Sequence, residues 1–489
     1  MAREDVPSTA DHASLSRRGV LHGVGALAVG GTAKAEAGAV MAALSTYMAN
    51  ARARALPDAV IEKVKHHVLD TLAAMISGAE LKPGRAAISF ARAYGGSKIA
   101  TVAGSDVRCG PIEAALANGV LAHADETDDS HAPSLSHPGC AVVPATLAIG
   151  EQLSIDGIHF LRAVVLGYDI GPRVTMALGI PALSRQLHKS SHSIAGVFGA
   201  AAAGGCAAGL DAQQMRWLLD YTAQQSSGIA AWQRDTDHIE KAFVFGGMPA
   251  RSGVTAALLV RAGWTGIDDI LSGPDNFLLA TAPDADPAQL TDKLGERHEV
   301  IRTNIKKWSV GSPIQAVLDA LELLAARRPF TAEEVEKVIV RLGTRSASVV
   351  SNREIPDICL QHMVAVMLLD GTVSFHAAHD VARMQDPFLL RVRAKVELVP
   401  DDELERRAPR REANVMLVLD DGTELTQHVE AVRGTADNPM PREEVIAKCR
   451  DLITPVLGAA KCAGLIERVL GLEGVGNVQE LRPFLQPAG

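Results

Sequence analysis

The feature that most constrains the fold is a charged stretch enclosed by two apolar ones. Residues 123–139 read H-A-D-E-T-D-D-S-H-A-P-S-L-S-H-P-G, whereas the runs 113–122 and 140–149 on either side are apolar and rich in alanine. Because alanine is the strongest helix former, the flanking runs predict helices. Pro133 and Pro138 keep the stretch itself non-helical. The fold must therefore place these charges at the ends of two buried helices or on the loop between them.

The same stretch carries the residue types of acid–base chemistry. Its carboxylates and imidazoles are Asp125, Glu126, Asp128, Asp129, His123, His131 and His137. Carboxylates held this close repel one another, so some of their pKa values should shift, and histidines beside them should gain protonation. Such a setting suits general acid–base catalysis or a metal ion. We interpret the stretch as the floor of a catalytic site.

Composition excludes several classes of protein. The chain has 489 residues, of which 47% are hydrophobic and 21% charged, so it buries a large interior and two domains are expected. A net charge of -9 leaves no basic stripe to neutralise phosphates, which argues against a nucleic-acid partner. The six cysteines form no C-x-x-C pair, so no zinc or iron–sulfur motif is present. Most of them are predicted to be buried thiols, although one disulfide is possible.

Residues 1–37 resemble a twin-arginine export signal. Ser16, Arg17 and Arg18 precede a weakly apolar segment, and Ala33-Lys34-Ala35 offers a cleavage site. The apolar part is shorter than the roughly 20 residues that span a bilayer, so no stable membrane anchor is expected. These residues predict a periplasmic protein that the twin-arginine machinery exports. The alternative is a cytoplasmic protein whose tail carries a chance arginine pair.

Periodicity predicts a mainly helical protein with a smaller mixed region. Apolar residues recur at three- and four-residue spacing from Asp58 to Gly78, as in a core-facing helix. Beyond residue 325, alternating apolar residues such as those at 392–398 predict strands, and Asp421-Gly422 predicts a hairpin. The predicted parts are a helical domain at 38–294, an α+β domain at 295–432 and C-terminal helices at 433–489 that return to the helical domain.

Two further regions carry candidate cations. His188 and His192 stand ahead of a long glycine–alanine run, which suits either tight helix packing or an anion at a helix start. Lys241 and Lys306 each stand two residues before an aromatic residue, Phe243 and Trp308 respectively. Because surface lysines usually lie among other polar residues, both lysines are candidates for an anion site.

Several segments, taken together and in order, resemble the MmgE/PrpD family. They are L-D-T-L-A-A-M-I-S-G, H-A-D-E-T-D-D-S-H...H-P-G, A-G-V-F-G-A-A-A-A-G, R-S-G-V-T-A-A-L-L-V-R-A-G-W-T-G and V-A-V-M-L-L-D-G. The family includes 2-methylcitrate dehydratase, cis-aconitate decarboxylase and an iminodisuccinate epimerase. The resemblance implies a large all-helical domain built from both chain ends, with a smaller α+β lid domain inserted. It also implies a homodimer without a metal or an organic cofactor.

The resemblance also implies a set of site residues. The candidate catalytic residues are Glu126, His137, Lys241 and Lys306. The candidate substrate-binding residues are Asp128, Asp129, Ser130, His131, His192 and His362. Many family members have aspartate at the position of Glu126 and threonine at the position of Ser130.

Two departures from the family pattern leave the substrate open. The His-Pro-Thr that precedes the glycine–alanine run in the family is not reproduced, so either His188 or His192 fills that role, and His192 is favoured. A tyrosine is often found before V-A-x-x-L-L-D-G, where this chain has His362 beside Gln361. The change alters the hydrogen-bond donor expected on the lid side of the pocket.

These residue types suit removal of a proton α to a carboxylate, or loss of CO2. Both steps build negative charge on a group that is already anionic, so cations must be in place to stabilise it. Lys241, Lys306 and a protonated His192 could bind substrate carboxylates. His137, oriented by an acidic neighbour, could move the proton. For a dehydration, the same histidine or His131 would protonate the departing hydroxyl.

The expected function is a lyase that acts on a small di- or tricarboxylate, first of all a 2-methylcitrate dehydratase-like hydro-lyase. A cis-aconitate-type decarboxylase and an epimerase or isomerase of the same family are the alternatives.

Two rival hypotheses come from other classes of protein. One is a metal-dependent hydrolase with Zn²⁺ or Mn²⁺ on His123, Asp128, His131 and His137, whose spacing matches no standard ligand motif. The other is an exported carboxylate-binding protein without catalysis.

Overall fold

The computed structural model describes residues 29–180, 182–408 and 410–487. Within them the protein is mainly helical, as predicted, with one two-stranded and one four-stranded sheet. Most of the predicted export signal, with Arg17 and Arg18, lies outside the described residues. The six cysteines are all buried and free, which agrees with their prediction as buried thiols.

The first part of the chain is almost entirely helical. Its elements are α1 (Val29–Asn50), α2 (Asp58–Gly78), α3 (Lys82–Tyr94), β1 (Ala100–Thr101), β2 (Arg108–Cys109), α4 (Pro111–Ala122), α5 (Gly139–Leu153), α6 (Gly157–Leu178), α7 (Ser191–Ala207), α8 (Ala212–Gln225), α9 (Ile239–Ala242), α10 (Met248–Arg261) and α11 (Phe277–Thr281). The helix predicted from Asp58 to Gly78 has these same limits in the structure.

The second part mixes helices with the larger sheet, and the chain then ends in helices. These elements are α12 (Ser312–Arg327), β3 (Val335–Gly343), α13 (Thr344–Val350), α14 (Leu360–Asp370), α15 (Phe375–His379), α16 (Pro387–Arg393), β4 (Val396–Asp401), α17 (Asp402–Arg406), β5 (Ala413–Leu419), β6 (Glu424–Val429), α18 (Arg442–Leu457), α19 (Ala459–Leu470) and α20 (Arg482–Leu485).

Buried apolar residues form two separate cores. The first core draws on residues from Met41 to Ile305 and again on residues from Met440 to Leu485, so both chain ends contribute to it. The second core draws on residues from Trp308 to Val432 and includes one face of the four-stranded sheet. The chain therefore builds a helical body from its two ends and a second, smaller body from the segment between them.

The four-stranded sheet has the order β4-β3-β5-β6. Strands β3 and β4 are parallel, whereas the other neighbours are antiparallel. The predicted Asp421-Gly422 hairpin is confirmed, because Gly422 adopts a φ of 82° in the turn between β5 and β6. The strand predicted at 392–398 is present only in part, because β4 begins at Val396. Residues up to Arg393 belong to α16, which begins with a proline and is capped by the Asp386 side chain.

Close backbone packing explains the glycine–alanine run of α7. A Cβ atom added at Gly167 of α6 would lie 2.8 Å from the carbonyl oxygen of Gly199, and one added at Gly199 would lie 2.9 Å from that of Gly167. Larger side chains would force the two helices apart.

In the described part of the chain, one helical stretch, Ile239–Arg261, is long and apolar enough to cross a membrane. In its most apolar part, 67% is buried inside the protein, as in a core helix.

Candidate active site

The charged stretch forms a buried loop between α4 and α5. His123 follows α4 directly, and every residue from His123 to Ser130 is buried. Backbone hydrogen bonds of 3.0 and 2.8 Å join Ser130 and Asn304 in both directions, which ties the loop to the segment that leads to Lys306. Leu135 adopts a φ of 46°, an uncommon conformation for a leucine, in the turn that leads to the second half of the loop.

Asp128 lies at the centre of the site. Its Oδ1 is 3.0 Å from Nδ1 of His137, its Oδ2 is 2.9 Å from Nδ1 of His123, and Nζ of Lys306 is 3.6 Å from Oδ1. Burial opposes ionisation of Asp128, but His123, His137 and Lys306 outweigh it and hold its pKa well below the ordinary value. Because an ionised carboxylate can only accept hydrogen bonds, Nδ1 of His137 carries the proton and its Nε2 keeps a lone pair.

His137 is therefore a neutral base held in one orientation. Burial lowers the pKa of its imidazole, and Lys306 lowers it further, whereas Asp128 acts in the opposite direction. Its side chain is 10% exposed, and Nε2 has no hydrogen-bond partner among the described residues. A neutral imidazole with one nitrogen fixed by a carboxylate and the other free can accept a proton from a substrate.

Glu126 brings the two predicted lysines together. Nζ of Lys241 forms an ion pair with Oε1 of Glu126. Nζ of Lys306 lies 3.6 Å from Oε2 and donates a 2.7 Å hydrogen bond to the backbone carbonyl of Glu126. Burial opposes ionisation of Glu126, but the two ammonium groups outweigh it and hold its pKa well below the ordinary value. Two cations thus stand beside the base, ready to bind carboxylates.

Aromatic rings form one wall of the site. Phe245 stacks between His123 and His192, with ring centroids 4.4 and 3.9 Å away and interplanar angles of 16° and 15°. It lies on a π-helical turn between α9 and α10. A Cβ atom added at the neighbouring Gly246 would lie 2.0 Å from the carbonyl oxygen of Gly119, so only glycine lets this turn approach α4 so closely.

The structure distinguishes between the two candidate histidines ahead of the glycine–alanine run. His188 is exposed, whereas His192 lies in the first turn of α7 with its ring 5.2 Å from that of His137. Burial, and then His137 and His123, lower the pKa of His192 well below that of an ordinary histidine. The ring is therefore neutral, contrary to the expected protonated form. It can donate a hydrogen bond but carries no positive charge.

Asp129 is held by a different set of groups. Its Oδ1 accepts a 3.0 Å hydrogen bond from the backbone of Gly139, and its Oδ2 lies 2.8 Å from Nδ1 of His67 and 2.6 Å from the hydroxyl of Tyr168. These partners belong to α5, α2 and α6, and all the side chains are fully buried. This geometry favours a positioning role for Asp129 rather than the substrate contact expected from the sequence.

His131 is held by partners of its own, and His362 lies within the second body. Both ring nitrogens of His131 already have partners, the Ser134 hydroxyl at 2.7 Å and Glu299 at 3.1 Å, so this ring is not free to protonate a substrate. His362 is fully buried on α14 within the second body. Burial, followed by Arg393 and Arg383 from the same body, lowers its pKa to about 4. His131 therefore lacks the free ring that the sequence predicted, and substrate contact by His362 stays a prediction.

Groups from the second body also reach the site, and no motif in the sequence indicated them. Nε2 of His379 on α15 lies 3.0 Å from Oδ2 of Asp125. Burial opposes protonation of His379, but Asp125 outweighs it and raises the pKa to about 9. Burial raises the pKa of Asp357 to about 7, with His379 opposing and Glu126 adding to the rise. Burial lowers the pKa of Arg411 to about 10, and the negative charge of Glu126 opposes this decrease.

Two residues near Lys241 were also missed, although their place in the sequence offered a hint. Trp232 and His238 precede this lysine within ten residues. The ring of Trp232 meets Phe245 edge-on at 4.7 Å, and the ring of His238 lies 5.4 Å from that of His123. Aromatic and imidazole groups next to a candidate cation would have justified their inclusion in the site.

Two groups of residues in the site could hold a metal ion. They are His123, Asp128 and Cys140, and His123, Glu126 and His238, with ligand atoms within 4.8 Å of one another in each group. The four-residue ligand set expected from the sequence is not assembled, because Glu299 and Ser134 hold His131. Lys241 and Lys306 already neutralise the carboxylates of both groups, which weakens their attraction for a further cation.

The fold and the site together define a mainly helical enzyme with a buried histidine, lysine and carboxylate centre. Residues 42–290 match the MmgE/PrpD N-terminal domain, and residues 308–472 match the MmgE/PrpD C-terminal domain. The chain belongs to the MmgE/PrpD family, as the resemblance of its motifs predicted.

Curated relatives extend over nearly the whole chain. The chain is 25% identical to "Cis-aconitate decarboxylase-like protein oryM" of Aspergillus oryzae, over 91% of this chain and 96% of the relative. It is 24% identical to cis-aconitate decarboxylase of Aspergillus terreus, over 88% and 92% of the two chains. It is 26% identical to cis-aconitate decarboxylase of Homo sapiens, over 88% and 91%. Family and relatives support a lyase.

Proposed function

We propose that this protein is a lyase that removes a proton α to a carboxylate of a small di- or tricarboxylate, with loss of water as the first candidate reaction. One observation carries the proposal. Neutral His137 is fixed through Nδ1 by ionised Asp128, and its free Nε2 stands in a site that also holds the ammonium groups of Lys241 and Lys306. A base and two cations are what carbanion formation next to a carboxylate requires.

In the proposed dehydration, Nε2 of His137 takes the proton from the carbon next to a carboxylate. The electrons of that C–H bond form the C=C bond, the C–O bond breaks, and the hydroxyl leaves as water with the proton that His137 returns. Lys241 and Lys306 bind the carboxylate on which negative charge builds, each as a charge-assisted donor. Asp128 keeps the ring in one tautomer and stabilises the imidazolium while it exists.

Decarboxylation is the second candidate, because the curated relatives are named cis-aconitate decarboxylases. Here a C–C bond breaks, CO2 leaves, and its bonding electrons remain on the α carbon, where an acid must deliver a proton. Asp357, whose pKa burial raises to about 7, is a buried acid near Glu126 of which about half carries a proton at neutral pH. Epimerisation would need abstraction by His137 followed by return of the proton to the opposite face.

The test is exchange of His137 for alanine. We expect turnover of citrate, 2-methylcitrate or cis-aconitate to fall by about 10²- to 10⁴-fold, with the helical circular dichroism unchanged, because the ring supplies proton transfer. The matched control is His376→Ala, which removes an exposed histidine from α15. Proton NMR of the product decides between hydro-lyase, decarboxylase and epimerase. Near-normal turnover in the His137 variant would refute the assignment.

The two rival classes have their own outcomes in the same assay. Loss of activity in EDTA that a divalent cation restores would support the metal-dependent hydrolase. Binding of these acids without any product on long incubation would support a non-catalytic carboxylate-binding protein. Export to the periplasm and homodimer formation stay predictions from the sequence. Cell fractionation and sedimentation of the purified chain would test them.

A further inference from the structure

The segment 229–238 forms a second wall of the site. A backbone bridge between Ile229 and Lys189 fixes its beginning, and the 3-10 helix Ala230–Arg234 carries Trp232. The segment ends at His238, which adopts a left-handed φ of 60° directly before α9. Because non-glycine residues seldom adopt this conformation, it marks a locally constrained piece of backbone. Both ends of the segment are thus held in place, with Trp232 between them.

The ring of Trp232 borders the groups that surround the base. It lies edge-on to Phe245 at 4.7 Å and to His192 at 5.6 Å, measured between ring centroids. The ammonium nitrogen of Lys241 lies 5.6 Å from the centroid of the same ring. His192 in turn lies 5.2 Å from His137. Trp232 therefore belongs to the immediate surroundings of the site, although the proposed chemistry does not use it.

Polar atoms on this wall and on the neighbouring His192 are buried but unsatisfied. Nε1 of Trp232, Nδ1 of His192 and Nε2 of His238 are closed to solvent, and none has a hydrogen-bond partner within the described part of the chain. Isolated atoms of this kind are rare in native proteins, because burying a donor without a partner is unfavourable. Those of Trp232 and His192, whose rings lie 5.6 Å apart, point to a ligand that completes their hydrogen bonds.

These groups offer directed hydrogen bonds without charge. Burial, and then Lys241, lower the pKa of His238 to about 3, so its ring is neutral, as is that of His192. An indole N–H can donate but never accept. Its partner must therefore bring an acceptor lone pair, such as that of an oxygen, while Lys241 beside the same ring supplies a positive charge.

We propose that Nε1–H of Trp232 donates a hydrogen bond to a second carboxylate of the substrate, separate from the one that Lys241 and Lys306 bind, so that Trp232 selects acids that carry this additional carboxylate. The inference rests on the proposed function, since it takes the reacting carboxylate to lie at Lys241 and Lys306. His192, whose ring lies 5.6 Å from that of Trp232, completes the hydrogen bonds of the same group. Trp232 is a specificity residue and moves no proton.

The test uses two inert acids that differ by one carboxylate, tricarballylate and glutarate. Their dissociation constants are measured by calorimetry for the full chain and for Trp232→Phe, which keeps the aromatic contact with Phe245 but removes the N–H. We expect the wild-type preference for tricarballylate to fall roughly 10- to 100-fold in the variant, as for loss of a hydrogen bond to a charged group. Trp264→Phe, at a side chain that is 53% exposed, is the control and should keep the preference.

A second readout does not depend on the variant being fully stable. The chain has four tryptophans, so its indole N–H groups give four NMR signals, and the Trp232 signal is assigned by its loss in the variant. Tricarballylate should shift this signal and glutarate should leave it in place. Equal weakening of both acids in Trp232→Phe, or an unmoved indole signal with tricarballylate bound, would overturn the inference.

This experiment also separates the inference from the proposed function. Selective, Trp232-dependent binding of tricarballylate without turnover of any acid would support the recognition role and count against the lyase. Turnover that is lost in His137→Ala, together with an unchanged preference in Trp232→Phe, would support the lyase and overturn the recognition role.

Discussion

Asp128 and Asp129 are neighbours in the chain, and both are completely buried, yet they face different parts of the molecule. The carboxylate of Asp129 accepts hydrogen bonds from the backbone of α5 and from side chains of α2 and α6, so it joins three helices. The carboxylate of Asp128 lies against the rings of His123 and His137 and against an ammonium group. The same residue type thus serves structure on one side of the loop and chemistry on the other.

The comparison teaches that partners, not residue type or burial, decide the role of a buried acid. Around Asp129, groups that belong to the fold satisfy both carboxylate oxygens. Beyond Asp128 the network ends in polar atoms without partners in the described structure, including Nδ1 of His192 and Nε1 of Trp232. An acid whose partners are all enclosed by the helices holds the fold together, and one that orients a partly exposed base can serve a substrate.

The largest expected effect is on the chemical side. Asp128→Asn keeps the size of the side chain but removes the charge that fixes the His137 tautomer. We expect kcat to fall by roughly 10³- to 10⁴-fold, as when the carboxylate behind a catalytic histidine is neutralised. Steady-state kinetics measure this loss, and circular dichroism checks that the fold is kept. An activity within tenfold of wild type would mean that Asp128 does not orient the base.

The matched change on the structural side is Asp129→Asn. It leaves His67 and Tyr168 without a charged acceptor in a fully buried place, and the free energy of unfolding should fall by about 3–5 kcal/mol. Urea unfolding measures the loss. At a temperature where the variant remains folded, its kcat should stay far closer to wild type than that of Asp128→Asn. If the two variants lost activity equally, the division between the two sides of the loop would be wrong.

A smaller effect concerns the contact between the two bodies. His379 faces Asp125 and Asp357, and its pKa of about 9 exceeds the ordinary value of 6.5. A raised histidine pKa stabilises the fold fully below pH 6.5, and this contribution is lost as the pH rises through 9. Its size is up to about 3 kcal/mol. Urea unfolding should therefore show the wild type losing stability between pH 6.5 and 9.

The variant His379→Gln should lack most of this pH dependence, because the titrating ring is gone. His376→Gln makes the same change at an exposed position of the same helix and should follow the wild-type curve. Parallel curves for wild type and His379→Gln across this pH range would show that the Asp125 contact does not hold a charged imidazole.

Much of the fold could be predicted from the sequence, because helix periodicity and turn residues act locally. The limits of α2 and the Asp421-Gly422 hairpin depend only on residues that are neighbours in the chain. Asp128, His137, Lys241 and Lys306 were identified by family motifs, and the structure brings them together. His379 and Asp357 could not be found this way, since ordinary helical and turn sequence surrounds them and only the packing of the two bodies brings them to the loop.

The same reasoning explains the residues that the sequence misplaced. His131 lies within the charged stretch, but its ring is bound by Glu299, which is far away in the sequence. The expectation that His192 is protonated left out burial, which lowers its pKa by more than the nearby carboxylate raises it. Local sequence shows which groups are available, whereas desolvation and distant partners decide which of them face the substrate.

The most direct test of the central claim is hydrogen exchange followed by proton NMR in D2O. The full chain and its His137→Ala variant are incubated with citrate, 2-methylcitrate and cis-aconitate, each with and without EDTA. We predict that deuterium enters the substrate or product α to a carboxylate with the wild type, that EDTA leaves the rate unchanged, and that the variant shows no exchange above background. Exchange that persists without His137, or that stops in EDTA, would contradict the account.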